Sequence, residues 1–159
     1  MAFPGMTAPK LDDLPIGIRP RLAALWTGLL FCFIYADILG LYDPWLIGEI
    51  LKGNMGPVGP ITQELKFAVA VLMSIPAIMV FLSVVLERRP NRWANIIAAV
   101  LFAVATCITL SMDPWAYYIY FAVLELGFIC LIVWHAWAWP LAGTAQAYCR
   151  RGIGKEVSE

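Results

Sequence analysis

The chain has 159 residues, of which 62% are hydrophobic and 14% charged, and its mean hydropathy of +0.78 leaves too little polar surface for a water-soluble domain, so lipid is its expected solvent. Eleven basic and eleven acidic residues cancel; this argues against a polyanion-binding protein, and no nucleic-acid motif, linker or low-complexity tract divides what reads as one domain. The four cysteines stand far apart without a CxxC motif, and the single histidine, His135, has no cysteine cluster beside it, so neither dithiol chemistry nor a metal or haem cofactor is expected.

The opening MAFPGMTAPKLDDLPIG is not the basic leader of a cleaved signal, so residues 1–20 are expected as a cytoplasmic segment ahead of an uncleaved first span. A membrane-crossing helix needs about 20 mostly apolar residues. Four runs reach that length, at about 22–42, 62–86, 94–112 and 114–139. They predict an all-α integral membrane protein, a four-transmembrane-helix bundle over residues 21–140, with 141–159 as a cytoplasmic tail.

Lys10, Arg19 and Arg21 precede the first span, Arg88, Arg89 and Arg92 crowd the second connection, and Arg150, Arg151 and Lys155 lie in the tail, against only Lys52 and Lys66 near the other side. The positive-inside rule places both termini in the cytoplasm. Aromatic residues fit two interfacial belts: Trp26, Trp93, Trp134, Trp137 and Trp139 inside, Tyr42, Trp45, Trp115, Tyr117 and Tyr118 outside.

Between the first two spans, Asp43-Pro44-Trp45 carries a helix-starting signal: an aspartate cap, a proline suited to the first turn and an interfacial tryptophan. It predicts a short interfacial helix over Trp45 to Lys52 on the outer face, ended by Gly53 before the turn-rich GNMGPVGP. The same tripeptide recurs at 113–115, ahead of the fourth span. Duplication of a hairpin is one reading; local capping, repeated, is the simpler one, because similarity does not extend beyond the tripeptide.

In the second connection, Asn91 is expected to cap the third helix and Trp93 to anchor it. Arg88, Arg89 and Arg92 either set topology or hold anionic headgroups. Ala94, Ala98, Ala99, Ala103, Thr106 and Thr109 recur at three- and four-residue steps and suit close helix packing or a subunit contact. His135 reads as an interfacial residue first and a proton acceptor second.

Two acids lie inside spans: Asp37, roughly 9 Å below the outer end of its helix at about 1.5 Å per residue, and Glu125, roughly 18 Å below the start of its own. With no intramembrane lysine or arginine to pair them, desolvation favours neutral carboxyls unless water reaches them. Depth matching offers Asp37 the residues Thr106, Thr109, Tyr117, Tyr118 and Tyr120. It offers Glu125 Ser74 and the carbonyl of Leu72, which Pro76 strips of its helical hydrogen bond. Two readings stand: a site for a ligand or proton, or acids bonded internally that only fix helix packing.

The stretch Tyr35-Ala-Asp-Ile-Leu-Gly-Leu41, the proline-broken second span and Asn91-Arg-Trp-Ala-Asn-Ile96 resemble a bacterial family of small four-helix membrane proteins of unknown function, from about Arg21 to Trp139. The resemblance implies a multi-pass protein of the bacterial cytoplasmic (inner) membrane and no activity. Three functions are therefore open. The first is binding or transport of a small amphipathic or cationic molecule in a cavity lined by Asp37, Thr106, Tyr120 and Glu125, with Ser74 near Glu125. The second is an accessory subunit packed on a larger membrane partner or on copies of itself. The third is an enzyme acting on a lipid or quinone, for which no nucleophile, metal or nucleotide motif is present. The bilayer is the one partner expected in every case.

Overall fold

The computed structural model describes residues 16–112 and 115–139. The expectations for Asp113 and Pro114, residues 1–15, Cys149 and the tail lie outside the described residues. Within them run five α-helices: α1, Ile18–Gly40; α2, Pro44–Leu51; α3, Gln63–Val85; α4, Arg88–Met112; and α5, Ala116–Trp137. All but α2 are long and apolar enough to cross a membrane.

Local chemistry sets several boundaries. The Asp43 carboxylate accepts from the Trp45 amide at 2.9 Å and Pro44 occupies the first turn, so the short helix between α1 and α3 begins where its capping signal stands. Thr62 caps α3 by accepting from the Leu65 amide at 3.1 Å. The third spanning helix departs from expectation: it starts at Arg88, and Asn91 is buried inside its first turns rather than capping it. An apolar-run criterion stops at the arginines, but helical backbone bonds need no apolar side chain, so the helix continues into the polar boundary.

The segment after α2 closes on itself. The Asn54 amide donates to the Glu49 carbonyl at 2.8 Å and its side chain to the Glu49 carboxylate at 3.0 Å, while the Ile61 amide reaches back to the Gly53 carbonyl at 2.7 Å. Gly53 and Gly56, at φ 86° and 51°, take left-handed conformations that a side chain would strain.

Around the bundle the order is α3, α1, α5, α4. α1 packs along both α3 and α5, and α5 along α4, whereas α3 and α4 share a much smaller contact. Each spanning helix presents a seam stepped by three and four residues: Leu22, Trp26, Leu29, Ala36 and Gly40 on α1; Pro76, Met79 and Ser83 on α3; Asn91, Asn95, Ala98, Phe102 and Thr106 on α4; Ala122, Glu125, Ile129, Ile132 and Ala136 on α5. This spacing is that of left-handed bundles with helices near parallel. At the centre the Phe102 ring meets Trp26 edge-on at 6.3 Å and Phe33 at 5.4 Å. Trp26, assigned above to the interfacial belt, is fully buried, and Trp139 is nearly so; Trp93, Trp134 and Trp137 stay exposed.

Candidate functional site

Polar side chains on the seams gather at two levels. Near the α3–α4 connection, Asn95 is the hub. Its side-chain oxygen accepts from the Trp26 indole at 2.7 Å and from the Ser83 hydroxyl at 3.2 Å, and its amide donates to the carbonyl and side-chain oxygens of Asn91 at 2.8 and 2.6 Å. Asn91 in turn donates to the carbonyls of Ser83 at 2.7 Å and Leu86 at 3.3 Å. Both of Asn95's polar atoms are fully used, no titratable group among the described residues takes part, and all four side chains are buried, so this network ties α1, α3 and α4 together. Capping logic missed it. The signal was present all the same: two asparagines four residues apart on a helix share a face, and lipid offers that face no hydrogen-bond partner.

The second level centres on a carboxyl. Glu125 on α5 is 5% exposed, and its Oε2 accepts from the Thr106 hydroxyl of α4 at 3.0 Å. Thr109, one turn on, donates to the carbonyls of Ala105 and Thr106, both at 3.1 Å. Cys32 of α1 is buried on the same seam as Ala36. Asp37 stands beside the α1 seam, one residue after buried Ala36, and is exposed at the flank of the chain. The Tyr117 hydroxyl of α5 packs over Gly40, 3.4 Å from where a Cβ would stand, on the same stretch of α1. The structure thus pairs Thr106 with Glu125, while Asp37, three residues from Gly40, stands about 7–8 Å nearer the Tyr117 end than Glu125 at about 1.5 Å per residue.

It does not bring the remaining predicted residues to that pair. Ser74 is exposed and donates to the Ala70 carbonyl of its own helix at 2.7 Å, so the pairing of Glu125 with Ser74 and the Leu72 carbonyl is replaced by the bond to Thr106. Depth counting treated all helices as neighbours, whereas α5 lies between α1 and α4 and α3 packs chiefly on α1. Tyr120 is 62% exposed, its ring against Phe121 at 5.5 Å; it faces away from the carboxyls. Among the described residues no three of His, Cys, Asp and Glu come together as a metal site would require.

Arg88, Arg89 and Arg92 lie together at the start of α4, where with Pro90, Trp93 and Trp139 they line a cleft of about 500 Å³. The Arg92 guanidinium lies over the Trp137 ring, 4.7 Å from its centre. A stacking of this kind suits the planar guanidinium and leaves its outer edge for other partners.

A family model described as "Family of unknown function (DUF6326)" matches residues 17–145, which takes in α1 to α5 and both polar levels. No curated protein and no solved structure matches the chain.

Proposed function

We propose that this chain, a member of the DUF6326 family of unknown function, binds a small amphipathic cation within its transmembrane bundle and exchanges it with protons. The observation that carries the reading is a pair of acids on the packed helices α1 and α5: Glu125 is buried with the Thr106 hydroxyl as its partner, and Asp37 stands exposed beside the α1 seam. Among the described residues no lysine or arginine forms an ion pair with Asp37 or Glu125. Acids held in hydrocarbon without a protein cation are stabilised by protons or by a bound cation, and competition between the two is the basis of exchange. Asp37 would receive the ligand at the flank, and Glu125 and Thr106 would hold it.

A bacterial cytoplasmic membrane with both termini inside belongs to this proposal and rests on the distribution of basic residues. The test is binding of a lipophilic cation, tetraphenylphosphonium, to the purified protein, with proton release measured in weakly buffered solution. Saturable binding with proton release, reduced in both Asp37→Asn and Glu125→Gln, is the expected result. Unchanged binding in both variants would remove the basis of the reading.

A second reading, an accessory subunit, is favoured by α3. This helix has the smallest buried share of the four spans, and Phe67, Val71, Ile78 and Phe81 are exposed along it. Stoichiometric copurification of another membrane protein, lost on Phe81→Ser, would select it.

A further inference from the structure

We infer that the start of α4 and the adjoining face of α5 form a binding site for one anionic phospholipid, with its phosphate in the arginine cleft and an acyl chain in the groove between the two helices. The inference is independent of the carboxyl level. Among the described residues, the cleft is lined by Arg88, Arg89, Pro90, Arg92, Trp93 and Trp139, with no acidic side chain. Glu87, the nearest acid in sequence, is exposed and does not line it. Guanidinium groups match phosphate oxygens with paired donors, and the flanking indoles suit the headgroup level.

A second concavity begins where the first ends. A groove of about 480 Å³ runs between α4 and α5, lined by Val100, Ala103, Ile129, Val133, Trp134 and Trp137 among others. Its lining is apolar save for Cys130. The two concavities share the Arg92–Trp137 stack, because Arg92 lines the cleft and the ring beneath it lines the groove. Arg92 is held by that ring rather than by an ion pair: its Nε is sealed from solvent with no hydrogen-bond partner, and no carboxylate among the described residues pairs with it. A phosphate supplies the counter-charge.

Length selects a lipid over a free anion. From Arg92 to Ala103 is eleven residues of helix, about 17 Å at about 1.5 Å each, close to one leaflet's share of a hydrocarbon core about 30 Å thick. A polar start at the membrane boundary followed by an apolar track of one leaflet's depth is the shape of a phospholipid. A free phosphate would use the cleft and leave the groove without purpose.

The test is native mass spectrometry of the full-length protein released from mixed micelles, titrated with phosphatidylglycerol, with phosphatidylcholine of the same chains, and with inorganic phosphate. The expected result is one retained phosphatidylglycerol per chain in preference to phosphatidylcholine. Retention should weaken about fivefold for each of Arg89→Gln and Arg92→Gln, from the attraction one basic residue exerts on anionic lipid. Val100→Trp, which fills the groove without touching the arginines, should weaken it too. Arg92→Lys, which keeps the charge and loses the planar fork, should fall between wild type and Arg92→Gln. Arg89 is exposed in the first turn, so its variant keeps the fold, and an unchanged unfolding temperature verifies this. Equal retention of the two lipids, or arginine variants that bind like wild type, overturns the proposal. Inorganic phosphate displacing phosphatidylglycerol while Val100→Trp has no effect also overturns it, leaving an anion site only.

Discussion

Replacing Asn95 by alanine removes a hub. Four hydrogen bonds go at once: those from the Trp26 indole at 2.7 Å and the Ser83 hydroxyl at 3.2 Å, which join helices, and the two to Asn91, which lie within α4. Interhelical hydrogen bonds inside membrane proteins contribute about 0.6 kcal/mol on average and about 1.7 at most, so the two that join helices contribute about 1–3 kcal/mol. The Trp26 nitrogen then remains in a fully buried side chain with no acceptor, a further cost of about 1–3 kcal/mol that partly overlaps the first. A total of about 2–4 kcal/mol is expected. The assay is reversible unfolding of the purified protein in mixed micelles by increasing SDS, followed by circular dichroism. Ser74→Ala serves as reference, since the Ser74 hydroxyl is exposed and bonds only its own helix; it should be near neutral. A double-mutant cycle of Trp26→Phe with Asn95→Ala isolates the shared bond and should give a coupling of about 1 kcal/mol. If Asn95→Ala costs no more than Ser74→Ala, or the cycle shows no coupling, the network does not hold the helices together.

Further outcomes follow from other contacts. Thr106→Val deletes the donor to Glu125 at nearly constant volume and should destabilise by about 0.6–1.7 kcal/mol in the same assay, while Thr106→Ser, which keeps the hydroxyl, stays close to wild type. Gly56→Ala forces a side chain into φ 51°, with its Cβ 2.9 Å from a Leu46 methyl, and should cost about 1–2 kcal/mol. Gly48→Ala meets nothing within 4 Å in α2 and should be neutral or stabilising by about 0.5–1 kcal/mol. Hydrogen bonds from Lys52 and Asn54 hold the Glu49 carboxyl below its ordinary value. Its contribution to the loop is therefore present above the unfolded carboxyl range, near pH 4.3, and is lost as pH falls through the lower folded value. Protection of the Asn54 and Ile61 amides, relative to their intrinsic exchange rates at each pH, should fall on acidification in wild type and be independent of pH in Glu49→Gln. In a cysteine-free background in intact cells, Leu51→Cys should react with an impermeant thiol reagent from outside, and Arg89→Cys only after permeabilisation; the reverse pattern refutes the assigned orientation.

Local signals were legible in proportion to how local they are. The Asp43 cap and Pro44 define the start of α2 through bonds to residues two and four positions away, so no distant contact was needed to find them. The start of α4 was not legible by the same means. The asparagine that looked like a cap reaches instead to Ser83, eight residues back across the connection, and such a bond exists only once α3 and α4 are side by side. Trp26 shows the same limit. A tryptophan near the end of an apolar run reads as interfacial, yet here its indole finds an acceptor 69 residues away and its ring enters the core.

For the carboxyl level, the residue types were legible and the pairing was not. Asp37 and Glu125 stand out because an acid in an apolar run is costly, and Thr106 stands out as a hydroxyl at helical spacing in a small-residue stripe. Distance along each helix axis was also readable, at a fixed rise per residue. Which helix lies next to which was not, and it decided that Glu125 meets Thr106 rather than Ser74 and that Tyr120 faces away.

The sequence by itself determined that the chain is four apolar helices with a short helix between the first two, because run length against bilayer thickness and capping chemistry are one-dimensional quantities. Only the tertiary structure decided which face of each helix is inside. In spans apolar on every side, hydrophobicity cannot choose a face, since lipid and protein interior are equally apolar. The choice falls to the few polar side chains, Trp26, Ser83, Asn91, Asn95, Thr106 and Glu125, which turn inward because only another helix can complete their hydrogen bonds.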